Sequence, residues 1–292
     1  MVIIAADMAI WDFDYSSVSS ITRLLEENGL GMTKKFGQNF LISLPTLDKI
    51  TSLCEANENS VVWEVGPGIG ALTTRLLKTG AKVTAFEIDH GFCRILREKA
   101  YTDVPNFRLI EGDALKTWKE VYEKEGAPDM ICANLPYNVG SVFIASVIEN
   151  RCLPSRMVYT LQSEVVERIC AKMGDEQYSG FSILTGMDYE NREAMKIKSG
   201  CFFPSPNVDS SVVVMQRRKD PLVPDKEALA FLNLVRVLFS QRRKNVRNNL
   251  KALGLASEKI DSALDKSGIM PSERAEKLST DQILTLLRNL DR

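Results

Sequence analysis

The chain contains one histidine, His90, in 292 residues. That argues against a histidine-based triad and against a multi-histidine metal site, and no metal is expected. The six cysteines, Cys54, Cys93, Cys132, Cys152, Cys170 and Cys201, include no CxxC pair and are scattered among apolar stretches. They read as small buried hydrophobes of a reducing compartment, not as a disulfide framework. No apolar run approaches the ~18 residues of a membrane span. The first ten residues are apolar but lack a basic lead and carry Asp7, so they make a poor signal peptide. Met8 is an alternative start, and a cytoplasmic location without membrane attachment is expected. Low-complexity segments and internal repeats are also missing, and the composition is that of a globular protein.

Net charge is nearly absent too, with 37 Lys and Arg against 38 Asp and Glu, but the distribution is uneven. Residues 211–292 hold 16 basic and 10 acidic side chains, while the remainder holds 21 and 28. A basic end on an acidic body hints at a polyanionic partner.

Periodicity divides the chain in the same place. Residues 16–30 read as a short helix closed by Gly29, and 44–55 as another. From residue 60, apolar strands alternate with helices: strands at 61–65, 82–87, 107–110, 130–133 and 157–161, helices at 70–78, 90–100, 140–149 and 163–173. That alternation predicts crossover units and an α/β fold with a mostly parallel, doubly wound sheet. Residues 212–215 are the last strand candidate. After Pro221 and Pro224 only helical periodicity remains, over 226–240, 243–253, 257–266 and 280–290, which predicts a boundary near 218–225.

The strand-to-helix turn Glu64-Val65-Gly66-Pro67-Gly68-Ile69-Gly70-Ala71 fits two templates. As GxGxG it is a loop that holds S-adenosylmethionine. As GxGxxA it is a dinucleotide fingerprint. Glu87 ends the next strand about 20 residues on, where an acid accepts hydrogen bonds from ribose hydroxyls of either cofactor. Asp113 follows the third strand and Asn134 the fourth. Polar or glycine positions thus recur at successive strand ends, and an acid after the third suits an adenine amine. A lone Asp in a turn is more often a helix cap; its register here favours the ligand.

Asn134-Leu135-Pro136-Tyr137 is the most informative tetrapeptide. A purine amine is a poor nucleophile because its lone pair is delocalised. The Asn134 side-chain oxygen and a backbone carbonyl near Leu135 can accept its two N–H bonds and free the lone pair. Pro136 stiffens the loop, and Tyr137 offers a flat face for a base. A sulfonium methyl is already electrophilic, so positioning does most of the work. Phe202 and Phe203, in a proline-flanked loop that runs to Ser210, are a second aromatic source, with Phe202 the choice for closing over a flipped base.

Together with Lys35 to Leu41, Gln162 to Val165 and Phe239 to Lys244, these collinear motifs resemble those of the rRNA adenine N6,N6-dimethyltransferase family. Its members dimethylate two adjacent adenosines near the 3′ end of small-subunit (16S) rRNA. The match runs from Leu24 to about Leu278. The resemblance implies a class I methyltransferase, Rossmann-like, with a seven-stranded sheet and a small all-helical C-terminal domain. The expected divisions are an N-terminal extension and helix at 1–30, an S-adenosylmethionine-dependent methyltransferase domain at 31–219, and an rRNA-binding domain at 220–292. It implies a cofactor site of Asn39, Leu41, Gly66, Gly68, Glu87, Asp113 and Asn134. Asn134, Leu135, Pro136 and Tyr137 would meet the target amine, with Phe202 stacking. Lys34, Lys35, Arg242, Arg243, Lys244, Arg247 and Lys251 would be the RNA footprint. An alternative use of Arg242 and Arg243 is packing against the catalytic domain. The near-neutral whole suits recognition of 16S rRNA in an immature small ribosomal subunit during ribosome biogenesis, and a monomer is expected. The competing readings are a 23S rRNA adenine methyltransferase, a catalytically dispensable ribosome assembly factor, and an NAD-dependent oxidoreductase. The full helical tail and the Phe202–Ser210 stretch argue against the first. The intact tetrapeptide argues against the second, and the lack of an obvious proton-donor pair against the third.

Overall fold

The computed structural model describes residues 10–30, 39–137 and 139–291. Helix α1 (Val18–Glu27) starts where the Ser17 hydroxyl accepts the Ser20 N–H, and Gly29 turns the chain in a left-handed conformation. A two-residue strand β1 (Phe40–Leu41) and α2 (Leu44–Cys54) precede the alternating core. That core runs β2 (Val61–Val65), α3 (Ala71–Lys78), β3 (Lys82–Glu87), α4 (His90–Ile95), β4 (Phe107–Glu111), α5 (Ala114–Glu125), β5 (Met130–Asn134), α6 (Gly140–Glu149) and β6 (Arg156–Gln162). Then come α7 (Ser163–Cys170), α8 (Gly180–Asp188), β7 (Tyr189–Ile197), β8 (Phe202–Phe203) and β9 (Ser210–Arg217). The tail holds α9 (Asp225–Phe239), α10 (Val246–Leu250), α11 (Ser257–Lys266) and α12 (Thr280–Leu290).

The main sheet has seven strands in the order β4-β3-β2-β5-β6-β9-β7. The pairings from β4 through β6 are parallel, and β9 runs antiparallel to β6. From β2 the chain builds outward to β4 on one side and then restarts at β5 on the other. The crevice between the carboxyl ends of β2 and β5 is therefore the switch point where such sheets bind ligands. Val62, Val83, Cys132, Val158 and Val214 cover one face of the sheet and bury it against Leu47, Ile50 and Cys54 of α2 and Leu72 and Leu76 of α3. Among the described residues no helix is long and apolar enough to cross a membrane.

Helices α5 and α8 and the two-residue strands β1 and β8 have no counterpart in the sequence expectations, and two further features depart from them. Strand β7 is not foreshadowed by periodicity. It occupies the sheet's edge and reads YENREAMKI, so its charged side chains face solvent and obscure the alternation. The second is the domain division, expected at 219/220. The structure separates into two compact units whose last cut falls close by, between Gln216 and Arg217, but two earlier segments join the tail. One takes in the described residues up to Ser146 with Cys152–Val166 and Arg192–Gln216. The other combines Val147–Arg151 and Glu167–Asn191 with the described residues from Arg217 on. Local chemistry explains the second grouping. The Arg151 guanidinium donates to both oxygens of Asp188, at 2.6 and 3.0 Å, and lies 2.7 Å from the Asp225 carboxylate. The Tyr178 hydroxyl donates to the Leu278 carbonyl at 3.1 Å, and α8 packs so closely on α9 that a Cβ at Gly180 would lie 3.3 Å from Val235.

The Asp188 side chain is 2% exposed, so removing its partner strands a buried charge. Arg151→Ala is expected to lower the unfolding free energy by about 3 kcal/mol. Asp225→Ala, at an exposed carboxylate, should cost under about 1 kcal/mol. Urea denaturation of the full chain, followed by circular dichroism, checks the contrast.

Candidate active site

A cavity of about 340 Å³ opens at the switch point, within the roughly 300–1,000 Å³ usual for small-molecule sites. Its first wall is the glycine loop after β2. Gly66 N–H donates to the Phe86 carbonyl at 2.9 Å, and Gly70 N–H closes the turn on the Pro67 carbonyl at 2.9 Å. At Gly68, with φ 56°, a Cβ would sit 3.3 Å from the Phe40 ring, so the bare backbone lets ring and loop approach. Glu87, 5% exposed at the end of β3, clamps the loop: Oε2 accepts Gly68 N–H at 3.1 Å and Oε1 accepts Asp89 N–H at 2.9 Å. Burial pushes the Glu87 carboxyl above its usual range, and the two backbone N–H bonds pull it back. One donor on each oxygen leaves acceptor capacity for further hydroxyls.

Asp113 serves two roles. Its Oδ1 accepts Leu115 N–H at 2.9 Å as the N-cap of α5, and the residue also lines the cavity. The cap and ligand readings of this acid are therefore compatible. On the opposite wall, Asn134 ends β5 and donates from Nδ2 to the Asn39 carbonyl at 3.1 Å. A carbonyl can only accept, so this bond fixes which way the amide points and leaves Oδ1 as the acceptor. Leu135 N–H donates to the Thr160 carbonyl at 3.2 Å, and the Pro136 carbonyl accepts Val139 and Gly140 N–H at 3.0 and 3.1 Å. The Tyr137 hydroxyl shares a 2.8 Å hydrogen bond with the fully buried Ser210 hydroxyl, and burial raises the phenol pKa. The ring is thereby pinned by β9.

A second, two-stranded sheet joins distant segments. Phe40 pairs with Phe203 and Leu41 with Phe202. Asn39, Phe40 and Leu41 reach the cavity beside Phe202, which is 3% exposed. Phe203 packs instead with Tyr15, Ile21 and Phe92 in a separate apolar cluster.

All the residues expected at the cofactor and target amine, from Asn39 to Phe202, line this one cavity. Sequence reasoning missed Glu64, Ile88 and Leu115, which line it as well. Their signal was adjacency: Ile88 follows the strand-end acid, Leu115 lies two past Asp113, and Glu64 opens the glycine loop. The basic residues behave differently. Lys34 and Lys35 lie outside the described residues. Arg242, Arg243 and Lys244 are exposed and, with Gln241, line a separate concavity. Arg247 is bound at 2.6 and 2.7 Å by both oxygens of Asp261, which commits its guanidinium to a neighbour, and Lys251 is exposed. His90 is exposed and paired with Glu111, whose carboxyl it holds below the usual range together with Arg97.

Among the described residues lining the main cavity, the ionisable acids are Glu64, Glu87 and Asp113, and none is Lys, Arg or His. A wall set that is acidic and free of cations repels a pyrophosphate and attracts a positive ligand. This separates the two templates of the glycine loop. The donor set fits S-adenosylmethionine, with carboxylates for hydroxyls and amines, apolar walls for an adenine, and negative potential for a sulfonium.

A model of the family described as ribosomal RNA adenine dimethylase matches residues 30–292. A relative from Treponema denticola, named Ribosomal RNA small subunit methyltransferase A, is 40% identical over 278 residues, covering 94% of each chain. One of the same name from Myxococcus xanthus is 35% identical over 91% of this chain and 94% of its own. Among solved structures, a dimethyladenosine transferase from Plasmodium falciparum is similar with a TM-score of 0.69 at 25% identity, covering 85% of this chain and 96% of that one. The 23S rRNA methyltransferase ErmE scores 0.64 at 25% identity, covering 86% and 99%.

Glu64 carries a pH prediction. Burial raises its carboxyl to about 8, opposed by the Thr73 hydroxyl that donates to it at 2.7 Å. A carboxyl raised on folding stabilises the fold below its unfolded pKa, and that contribution is lost as pH rises through the folded value. Glu64→Gln keeps an acceptor for Thr73 and does not ionise. Thermal melts from about pH 5 to about pH 9 should show wild type losing stability relative to this variant as pH rises.

Proposed function

Because the chain belongs to the ribosomal RNA adenine dimethylase family, we propose that it transfers methyl groups to the N6 amines of two adjacent adenosines of 16S rRNA, acting as a monomer on the immature small ribosomal subunit. The observation that carries the chemistry is the amide of Asn134, oriented by the Asn39 carbonyl so that its oxygen is left as the acceptor in the lining of an acidic cavity.

S-adenosylmethionine, when bound, supplies a methyl group on a positively charged sulfur, a strong electrophile that needs little further activation. The chain's task is to bind, orient and keep water out. Glu87 offers the remaining acceptor capacity of both oxygens to ribose hydroxyls. Asp113, capping α5 through Oδ1, offers its other oxygen to the adenine amine. Gly66 and Gly68 bring backbone close to the ligand, and Ile88 and Leu115 supply apolar walls.

For the target base, Asn134 Oδ1 accepts one N6–H. The Pro136 carbonyl is committed to its turn, so the Leu135 carbonyl is the second acceptor. Two acceptors on one amine draw its lone pair out of conjugation and aim it at the methyl group. Tyr137, held by Ser210, stacks on the base from one side, and Phe202 bounds the other. Taking the base out of its stack costs a few kcal/mol, which this aromatic embrace offsets. The exposed concavity of Gln241, Arg242, Arg243 and Lys244 is the docking surface for the rRNA backbone.

The small subunit is favoured over the large because relatives 35–40% identical over almost the whole chain carry a small-subunit name. The ErmE likeness stands at 25% identity.

Labelled methyl transfer to immature small subunits lacking dimethyladenosine, with nucleosides identified by mass spectrometry, tests the chemistry. Wild type should yield N6,N6-dimethyladenosine, and Asn134→Ala should lose at least about 100-fold in rate, as when one aligned polar group is removed from an active site. Particle binding without methylation would leave only an assembly factor, and methylation confined to large-subunit RNA would move the chain to the other branch. The double variant Arg242→Ala, Arg243→Ala should weaken particle binding and flatten its logarithmic salt dependence by about two. S-adenosylmethionine affinity should stay unchanged.

A further inference from the structure

Four residues form a chain of hydrogen bonds outside the cavity lining. The Tyr101 hydroxyl lies 2.9 Å from the Gly70 carbonyl, the Thr74 hydroxyl 2.7 Å from Tyr101, and the Tyr15 hydroxyl 2.8 Å from Thr74. Every hydrogen in it can be assigned. A carbonyl only accepts, so Tyr101 donates to Gly70. With its one hydrogen spent, Tyr101 must accept from Thr74, and Thr74 in turn must accept from Tyr15. The chain runs one way, from the N-terminal segment to the last glycine of the loop. Burial raises both phenols, so both stay protonated donors at physiological pH.

The end of this chain is sterically fixed. Gly70 has φ 92°, and a Cβ there would lie 2.3 Å from the Tyr101 oxygen. The phenol fills the space that a side chain would take. Tyr15 precedes α1, in a segment outside the family match at 30–292. That segment is nonetheless tied to the site. Ile21, Leu24 and Leu25 pack with Ile69 of the loop and with Phe92 and Ile95 of α4. Arg94 donates to the Asn28 carbonyl at 2.8 Å, and the Trp11 and Phe13 rings stack at 4.6 Å. Ile69 itself lines the cavity.

We propose that Tyr15, acting through Thr74 and Tyr101 on the Gly70 carbonyl, is a positioning residue for the cofactor, so that the N-terminal segment sets the shape of the glycine loop. The inference rests on the cavity's assignment to S-adenosylmethionine. Glycine at Gly70 leaves the backbone several conformations, and its carbonyl, which accepts the Thr74 N–H at 2.9 Å as the first bond of α3, is further restricted by the directed Tyr101 bond. A loop already in its binding shape spends less of its affinity on ordering.

Calorimetric titration with S-adenosylhomocysteine tests this on wild type, Tyr15→Phe, Tyr101→Phe, the double variant and Glu87→Ala. Each Phe variant keeps its ring; loss of its buried hydrogen bond should lower the ligand-free melting temperature only modestly, and a near-ultraviolet circular dichroism spectrum that matches wild type shows that packing is kept. Tyr15→Phe and Tyr101→Phe should each bind about three- to tenfold more weakly. Their KM for S-adenosylmethionine should rise in step, with kcat on immature small subunits unchanged. The double variant should bind no more weakly than Tyr101→Phe alone, because Tyr15 acts through Tyr101. Wild-type affinity for Tyr15→Phe, beside lost binding for Glu87→Ala, overturns the positioning role and leaves the cavity's assignment standing. Additive losses in the double variant overturn the relay. Undiminished binding by Glu87→Ala overturns the cavity's assignment, and the proposal falls with it.

Discussion

The buried carboxylate of Glu87 accepts one backbone N–H on each oxygen, from Gly68 and from Asp89, and the rest of the site is arranged around that clamp. It joins the turn after β2 to the turn after β3, two neighbouring parallel strands whose register brings Val65 beside Phe86. A glycine loop alone has too much freedom to hold a ligand shape. Fixed at Gly68 by Glu87, closed on itself from Gly70 to Pro67 and held at the Gly70 carbonyl by Tyr101, it has little left. The Gly112 N–H donates to the Glu87 carbonyl at 2.7 Å, which brings the turn carrying Asp113 into the same frame.

The opposite wall solves a different problem, since its parts are far apart in sequence. Asn134 and Tyr137 come from the end of β5, Asn39 precedes β1, and Phe202 and Ser210 belong to β8 and β9. The small β1–β8 sheet brings the first and last of these segments together. The Asn39–Asn134 and Tyr137–Ser210 hydrogen bonds then fix the two polar side chains of the tetrapeptide in one orientation each. On the proposed reading, a group that must accept from a weakly nucleophilic amine works through such preorganisation.

Legibility in the sequence followed burial and locality. The strands from β2 to β6 and β9 are apolar because they are covered, so their pattern was visible to within two residues. Strand β7 was invisible because an edge strand can carry charge on most positions. The polar residues at successive strand ends were readable because parallel topology forces them to one edge of the sheet. The β1–β8 pairing was not, since two-residue strands carry no period. The grouping of Val147–Arg151 and Glu167–Asn191 with the tail is illegible in the sequence for a related reason. The ionic cluster of Arg151 with Asp188 and Asp225, and the Tyr178–Leu278 hydrogen bond, join residues 37 to 100 positions apart. No change in composition marks such links. Arg247 shows the same limit for charge: a basic residue in a basic run turned out to have its own acid, Asp261.

The near-zero net charge conceals two opposite electrostatic tasks. A cavity whose described lining holds only acidic ionisable groups favours a cation and disfavours phosphate. Gln241, Arg242, Arg243 and Lys244 present the reverse preference on an exposed concavity of the helical unit. On the proposed reading, both are needed in one chain. A uniformly basic protein would draw RNA phosphates toward its cofactor site, where they would compete with the sulfonium. With acid confined to the cavity, an rRNA strand gains by placing its backbone elsewhere and admitting only an uncharged base. Glu64 limits this design. Its carboxyl, raised by burial to about 8, is mostly neutral at physiological pH, so it lines the cavity without adding a full negative charge.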